Sequence, residues 1–362
     1  MSSMNCYMSQ NCEKEDSGND SQPIYQVLQP KQRKLVLHLD LNNTILVSDA
    51  VTGQGPTAAL NSYLSTVTWG KLSDTGEWQW LNDCLSVTPP SKDAINYYTK
   101  FGRSTDFVDT ELGRRFKEVH NHHMKLLEWK GEHDKVFTQV GEDRKAYNWI
   151  LPSFFYLIEK LHQQGRQFTI ILRTFGTDLP LVLQAVHSAF TGKHPHFPQL
   201  QNIPMTVDLT PGKIRCSKRV SVLTRGSDRI STKANEGVIY DYFSTMTGIG
   251  GFQDHFEWWA RNSFTGVGGK PFWINPSDCD AQHIIIDDNI RLNEEDTIVN
   301  CRMLLSKENG QEYRAVPTSE VYDVCLVQTD LLRAIAEEGY FLDCVRKCEE
   351  NYEHYLSTLQ DE

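Results

Sequence analysis

Two apolar runs that end abruptly in carboxylates constrain this chain more than any other feature. Leu35 to Leu39 delivers Asp40 into Asp40-Leu41-Asn42-Asn43-Thr44, and far downstream Ile284-Ile285-Ile286 delivers Asp287-Asp288. A continuously apolar strand has both faces covered, as in a parallel sheet packed between helices. Ligand sites in such sheets lie at the C-terminal strand ends, where these carboxylates fall. Two such ends can gather three carboxylates around one cation.

Between and after them the chain alternates in the manner of α/β windings. Ile150, Leu151, Phe154, Phe155, Leu157, Ile158 and Leu161 make one helix face, closed by Gly165 as a C-terminal cap. Phe168 to Leu172 reads as a strand leading into Arg173-Thr174, and Thr177-Asp178 caps a helix with Pro180 in its first turn. Helix, strand, polar tip, helix is one winding. Val67 to Trp80 alternates around Asp74-Thr75-Gly76 as a hairpin. Thr110 to Glu128 carries an imperfect helical stripe. Further strands are expected at Val238–Phe243 and Gln282–Ile286, and an edge strand at Cys301–Leu305. Gln253 to Arg261 reads as a short aromatic helix, and Ser319 to Leu359 as mostly helical.

The chain has 362 residues, room for one large α/β domain with an insertion. The expected division is a disordered tail at 1–30, a core at 31–47 and 149–317, an inserted region at 48–148, and C-terminal helices at 318–362. The tail is rich in Ser, Asn, Asp and Glu and lacks a signal-peptide apolar core. A net charge of −11 argues against a nucleic-acid or anionic membrane partner. No apolar run approaches the length of a membrane helix. Nine scattered cysteines without a spaced framework point to reduced thiols. A cytoplasmic protein is the expectation.

Four pieces then fall in order: Asp40, Thr174, Lys270 in Gly269-Lys270-Pro271, and Asp287-Asp288. Carboxylate, hydroxyl, ammonium and paired carboxylates suit phosphoryl transfer to an aspartate. A carboxylate attacks phosphorus only when the charge of both partners is screened, which a cation on hard oxygens supplies. A lysine and a hydroxyl then hold the equatorial phosphate oxygens.

These four motifs resemble those of the haloacid dehalogenase superfamily of Mg²⁺-dependent phosphatases and phosphotransferases. The resemblance covers 34–46 and 150–291 with gaps. It implies a doubly wound, Rossmann-like parallel sheet with an inserted cap, and a small phosphorylated metabolite as substrate. It implies Asp40 as nucleophile and Mg²⁺ ligand, the Asn42 carbonyl as a second ligand, and Asp288 as a third. Asp287 would orient Lys270 or a metal-bound water, and Thr174 and Lys270 would bind phosphate. Asn42 departs from the superfamily pattern: phosphatases there have an aspartate that protonates the leaving group. An amide does neither this nor the activation of water, so slow turnover is expected. The alternative is a catalytically weak relative that binds a phosphate ligand or a protein partner in regulation.

Other features read more plainly. His120, His122, His123, His194 and His196 are expected to be solvated loop histidines, since no ligand set of zinc spacing accompanies them. Cys344 and Cys348 read as ordinary helix thiols, and Trp258-Trp259 as core aromatics rather than a stacking platform. Thr247–Gly251 echoes Thr265–Gly269, and flexible loops explain both better than a phosphate cradle. Lys213 and Lys218 compete with Lys270 for the lysine role, and spacing to Asp287 favours Lys270, with a helix and a strand between.

Overall fold

The computed structural model describes residues 32–48, 52–292, 297–307 and 310–360. The tail at 1–30 lies outside the described residues. The chain is mixed α/β, built on an eight-stranded sheet. In spatial order its strands are Asp228–Ser231, Ser221–Arg225, Gly212–Cys216, Gly248–Gln253, Phe168–Thr174, Lys34–Asp40, Ala281–Asp287 and Leu326–Gln328. From Gly212–Cys216 onward all neighbours run parallel. Asp228–Ser231 and Ser221–Arg225 fold back antiparallel at one edge.

The apolar runs form strands because both of their faces are covered. Leu35, Leu37 and Leu39 join Ile170, Leu172, Ile284 and Ile286 in the largest apolar cluster. The intervening residues point the other way: Val36 and Ile171 into a second cluster, Ile285 into a third. Helix Pro152–Gln163 buries Phe154, Phe155, Leu157, Ile158 and Leu161, and Gly165 at φ +66° ends it as expected. Each such side chain contributes roughly 1.5–3 kcal/mol by leaving water.

Lys34–Asp40 lies inside the sheet. The chain runs from it to Phe168–Thr174 on one side and later to Ala281–Asp287 on the other. Strand order therefore reverses at Asp40, the usual place for a ligand crevice. Register holds the strand ends level: Asp40 pairs with Arg173, Leu39 with Ile286, and Gln253 with Thr174.

Several expectations are corrected. Val238–Thr245 is a helix; Ile239, Tyr240 and Phe243 make its buried face. The strand follows at Gly248–Gln253, in the segment expected to be a flexible glycine loop. A Cβ on Gly251 would lie 2.4 Å from Leu179 Cδ1, so glycine there lets helix Leu179–Phe190 press close to the sheet. Val299–Lys307, expected as an edge, is the centre of a three-stranded sheet between Lys270–Ile274 and Gly310–Ala315. The C-terminal stretch also supplies strand Leu326–Gln328 to the main sheet before its long helix Tyr340–Gln360.

Residues 52–148 contain helices Pro56–Thr66 and Lys117–Leu127, the expected hairpin Trp69–Leu72/Trp78–Trp80, and a second hairpin Thr138–Val140/Ala146–Asn148. Leu60, Tyr63, Phe107, Leu127 and Tyr147 belong to the same apolar cluster as Leu35 and Phe154. Leu331 N donates to Tyr63 Oη at 2.9 Å, and Gln139 Nε2 to Val47 O at 3.2 Å. The insertion is thus continuous with the core. Among the described residues, no helix is long and apolar enough to cross a membrane.

Candidate functional site

The site assembles where strand order reverses. Asp40 ends its strand and the chain turns at once: Thr44, Ile45 and Leu46 amides all donate to Leu41 O. Asn43 sits at φ +56°, a left-handed position that asparagine tolerates well. This turn holds Asn42 beside the neighbouring strand end. A Cβ built on Gly176 would lie 3.2 Å from Thr174 Oγ1 and 3.4 Å from Asn42 Nδ2, so these groups converge. Gly176 N donates to Thr174 Oγ1 at 2.8 Å. With a lone pair so engaged, the hydroxyl proton is directed elsewhere.

Lys270 comes to the centre. Its Nζ donates to Asp40 Oδ1 at 2.5 Å and to Asp287 Oδ2 at 2.7 Å. It opens strand Lys270–Ile274, so a strand and a turn separate it from Asp287, not the expected helix and strand. Its side chain is 1% exposed. Burial alone lowers the pKa of this ammonium, but Asp287, Asp40 and Asp254 outweigh it and hold the pKa above the ordinary lysine value. Asp40 is pushed well up, first by burial and then by Asp287 and Asp288, with Lys270 opposing. Lys213 and Lys218, the rival lysines, are exposed.

Carboxylate oxygens of Asp40, Asp287 and Asp288 lie within 4.8 Å of one another. Three carboxylates face one ammonium here, an excess of negative charge. The donors are all hard oxygens, a set that suits a hard divalent cation. Asp288 is tied down from several sides. Its amide donates to Thr44 Oγ1 at 3.2 Å, Asn289 Nδ2 donates to its Oδ1 at 2.9 Å, and Arg291 Nη1 donates to its carbonyl.

A cavity of about 530 Å³ opens on these groups. Asp40, Asn42, Thr174, Lys270 and Asp288 all line it, whereas Asp287 is fully buried beneath Lys270. Every residue singled out from the motifs is therefore in one place. Thr44 belongs to the first motif, but the motifs did not reveal that it braces Asp288 together with Asn289 and Arg291, nor did they reveal the Arg173–Asp254 pair. Arg173 donates to both Asp254 oxygens, at 2.9 and 2.6 Å, and to Pro271 O at 3.2 Å. A charged residue ending an apolar strand was the available signal for Arg173; nothing local marks Asp254 as its partner.

The remaining candidates fall outside. His120, His123 and His194 are buried rather than solvated, and His194 packs among Phe137, Phe155 and Phe197. Cys344 and Cys348 form no disulfide, and burial raises both thiols, Cys344 to about 12. Such thiols are inert. Trp258 packs on an apolar cluster, but Trp259 also lines the cavity. No family model, curated protein or solved structure matches the chain.

Proposed function

We propose that this chain is a Mg²⁺-dependent phosphatase of the haloacid dehalogenase type, acting on a small phosphorylated metabolite and slow for want of an acid-base carboxylate at Asn42. The observation that carries the reading is Lys270 bridging Asp40 and Asp287 beside Thr174 and Asp288 on one cavity. Asp40, Asp288 and the Asn42 carbonyl would hold Mg²⁺, which when bound neutralises carboxylate and phosphate charge. Lys270 aims Asp40 and keeps one of its oxygens engaged, leaving the other to attack phosphorus. Lys270 and the Thr174 hydroxyl hold equatorial phosphate oxygens as charge spreads over them.

Attack forms an Asp40–phosphorus bond through oxygen and breaks the bond from phosphorus to the leaving oxygen. The leaving oxygen must take its proton from water, because the Asn42 amide has none to give at neutral pH. Water then attacks phosphorus, the bond from phosphorus to the Asp40 oxygen breaks, the proton of the attacking water passes to solvent, and phosphate departs to leave Asp40 as a carboxylate. The Asn42 amide cannot accept that water's proton either, so both halves are slow.

Asn42 also favours a second reading, a regulatory protein that binds a phosphate ligand without turning it over. A panel of phosphate esters, assayed with Mg²⁺ on wild type and Asp40→Asn, separates the two. Turnover lost in Asp40→Asn is the expected result. Phosphate binding with no turnover across the panel replaces the enzyme with the regulatory reading. If neither Mg²⁺ nor phosphate binds, both readings fail.

A further inference from the structure

We infer that the substrate is the phosphate ester of an aromatic hydroxyl, its ring held on an aromatic shelf that begins beside the phosphate site; this rests on the phosphatase reading above. Phe175 directly follows Thr174, and its ring centroid is 5.3 Å from Lys270 Nζ. Phe175 stacks on Trp259 with centroids 5.1 Å apart and planes 12° from parallel. Phe256 and Phe264 meet Trp259 edge-on, at 6.3 and 5.1 Å. All four line the cavity. A group bonded to a phosphate held by Thr174 and Lys270 starts beside Phe175, the ring that opens this shelf.

Phe175 and Trp259 rest on an apolar core cluster, but core packing does not account for the outer half of the shelf, Phe256 and Phe264. Helix Phe256–Arg261 has no buried residue, and Phe264 is 49% exposed. Ser263 and Phe264 are both left-handed, at φ +56° and +58°, conformations that side chains with a Cβ rarely adopt. The backbone is held there by Phe264 N donating to Trp259 O at 3.0 Å. Strain of this kind collects at ligand clamps, and here it keeps a large exposed ring on the cavity wall. The facing wall comes from the insertion, where Ser62, Asn96, Tyr98 and Thr99 offer hydrogen-bonding groups. Because that wall shares the core of the sheet, the space of about 530 Å³ fits a small ring ester.

Asn42 points the same way by a separate route. A phenol-type oxygen has a pKa near 10, like tyrosine, and departs as the anion with its electron pair. It then takes a proton from water. Such a leaving group needs little general-acid help, and this site has none to offer. An alkyl oxygen needs that help.

The test compares phenyl phosphate, a phosphotyrosyl peptide, glycerol phosphate, glucose phosphate and inorganic phosphate, by binding in Mg²⁺ and by turnover. Proteins are wild type, Phe264→Ala and Trp259→Leu; Phe264 is half exposed, so its truncation spares the core. Phenyl phosphate should bind at least about fivefold tighter than glycerol phosphate, the low end of the contribution of a ring stacked on an aromatic side chain. Both variants should erase most of that preference, with inorganic phosphate affinity as the internal reference. Equal affinity for glycerol or glucose phosphate, or a preference that survives both variants, overturns the aromatic inference and leaves the phosphatase reading standing. Peptide preferred over phenyl phosphate moves the ring to a protein substrate and overturns the small-molecule assignment. No binding of any phosphate, inorganic phosphate included, brings down the phosphatase reading and this inference with it.

Discussion

Lys270 concentrates the energetics of the site in one side chain. It is 1% exposed and holds two buried carboxylates at hydrogen-bond distance. Removing one partner from a buried ion pair leaves an uncompensated charge, at a cost of about 3–5 kcal/mol. Lys270→Met is therefore expected to lose stability of that order in urea unfolding without Mg²⁺, and to recover part of it when Mg²⁺ is added. Recovery equal to that of wild type would show that no cation replaces the ammonium. On the proposed phosphatase reading, Asn42 is the residue that limits the rate. Asn42→Asp should raise turnover by up to about 10²–10⁴, most for alkyl phosphates, whose leaving groups need a proton. A further carboxylate beside Asp40 adds repulsion, so the gain should appear only at millimolar Mg²⁺. Steady-state rates on phenyl and glycerol phosphate, for both proteins, check this.

At the scale of elements, the strands are pinned to each other by a buried pair. Arg173 and Asp254 are both 0% exposed, and the guanidinium also reaches the carbonyl next to Lys270. This ties the Thr174 strand end to the strand that presents Lys270. Arg173→Leu leaves the Asp254 carboxylate stranded, and a loss of about 3–5 kcal/mol is expected in urea unfolding. Arg173→Leu with Asp254→Leu should recover most of that stability, since apolar residues of similar bulk replace a buried pair at little cost. Phosphate affinity should stay impaired in the double variant, because Pro271 O then has no anchor. A double variant with full phosphate affinity would remove the pair from any positioning role.

Across the whole molecule, the insertion shares one apolar core with the sheet. The resemblance implies an inserted cap, and Leu60, Phe107 and Tyr147 lie in the same cluster as Leu35 and Phe154, so a region that stays in place during binding is the expected outcome. Hydrogen exchange with and without vanadate should change at the site and leave 52–148 unchanged; broad protection of that region would restore a moving lid. Buried imidazoles set the acid limit. Burial, helped by His196, lowers His194 from 6.5 to about 4, and burial with Lys34 lowers His283 from 6.5 to about 3. A histidine with a depressed folded pKa binds fewer protons folded than unfolded. Its contribution is complete above pH 6.5 and is lost as pH falls through the window down to about 4. The melting temperature should drop across that window, and His194→Phe should flatten the drop.

The local order was legible where one residue type recurs with a clear period. Leu35 to Leu39, Ile284 to Ile286 and the Phe154–Leu161 face announce buried strands and a packed helix, because periodicity is a local property of the chain. Asp40, Thr174 and Asp288 were legible because each follows an apolar run, whereas Lys270 was legible from its Gly-Lys-Pro setting and its spacing to Asp287, and the strand it opens was not. Non-local facts were not. Gly248–Gln253 reads as a loop in isolation, yet Gly248 is required by the approach of Thr206 and Gly251 by that of Leu179, both distant in sequence. Leu326–Gln328 is too short for its pattern to count, and only the adjacent Ala281–Asp287 makes it a strand. Asp254 becomes a partner for Arg173, and Phe264 a wall of the cavity, only when the chain is folded. Sequence alone thus determined which side chains sit at the strand ends. The tertiary structure decided what stands opposite them, because distance in space, not along the chain, sets charge pairing and packing.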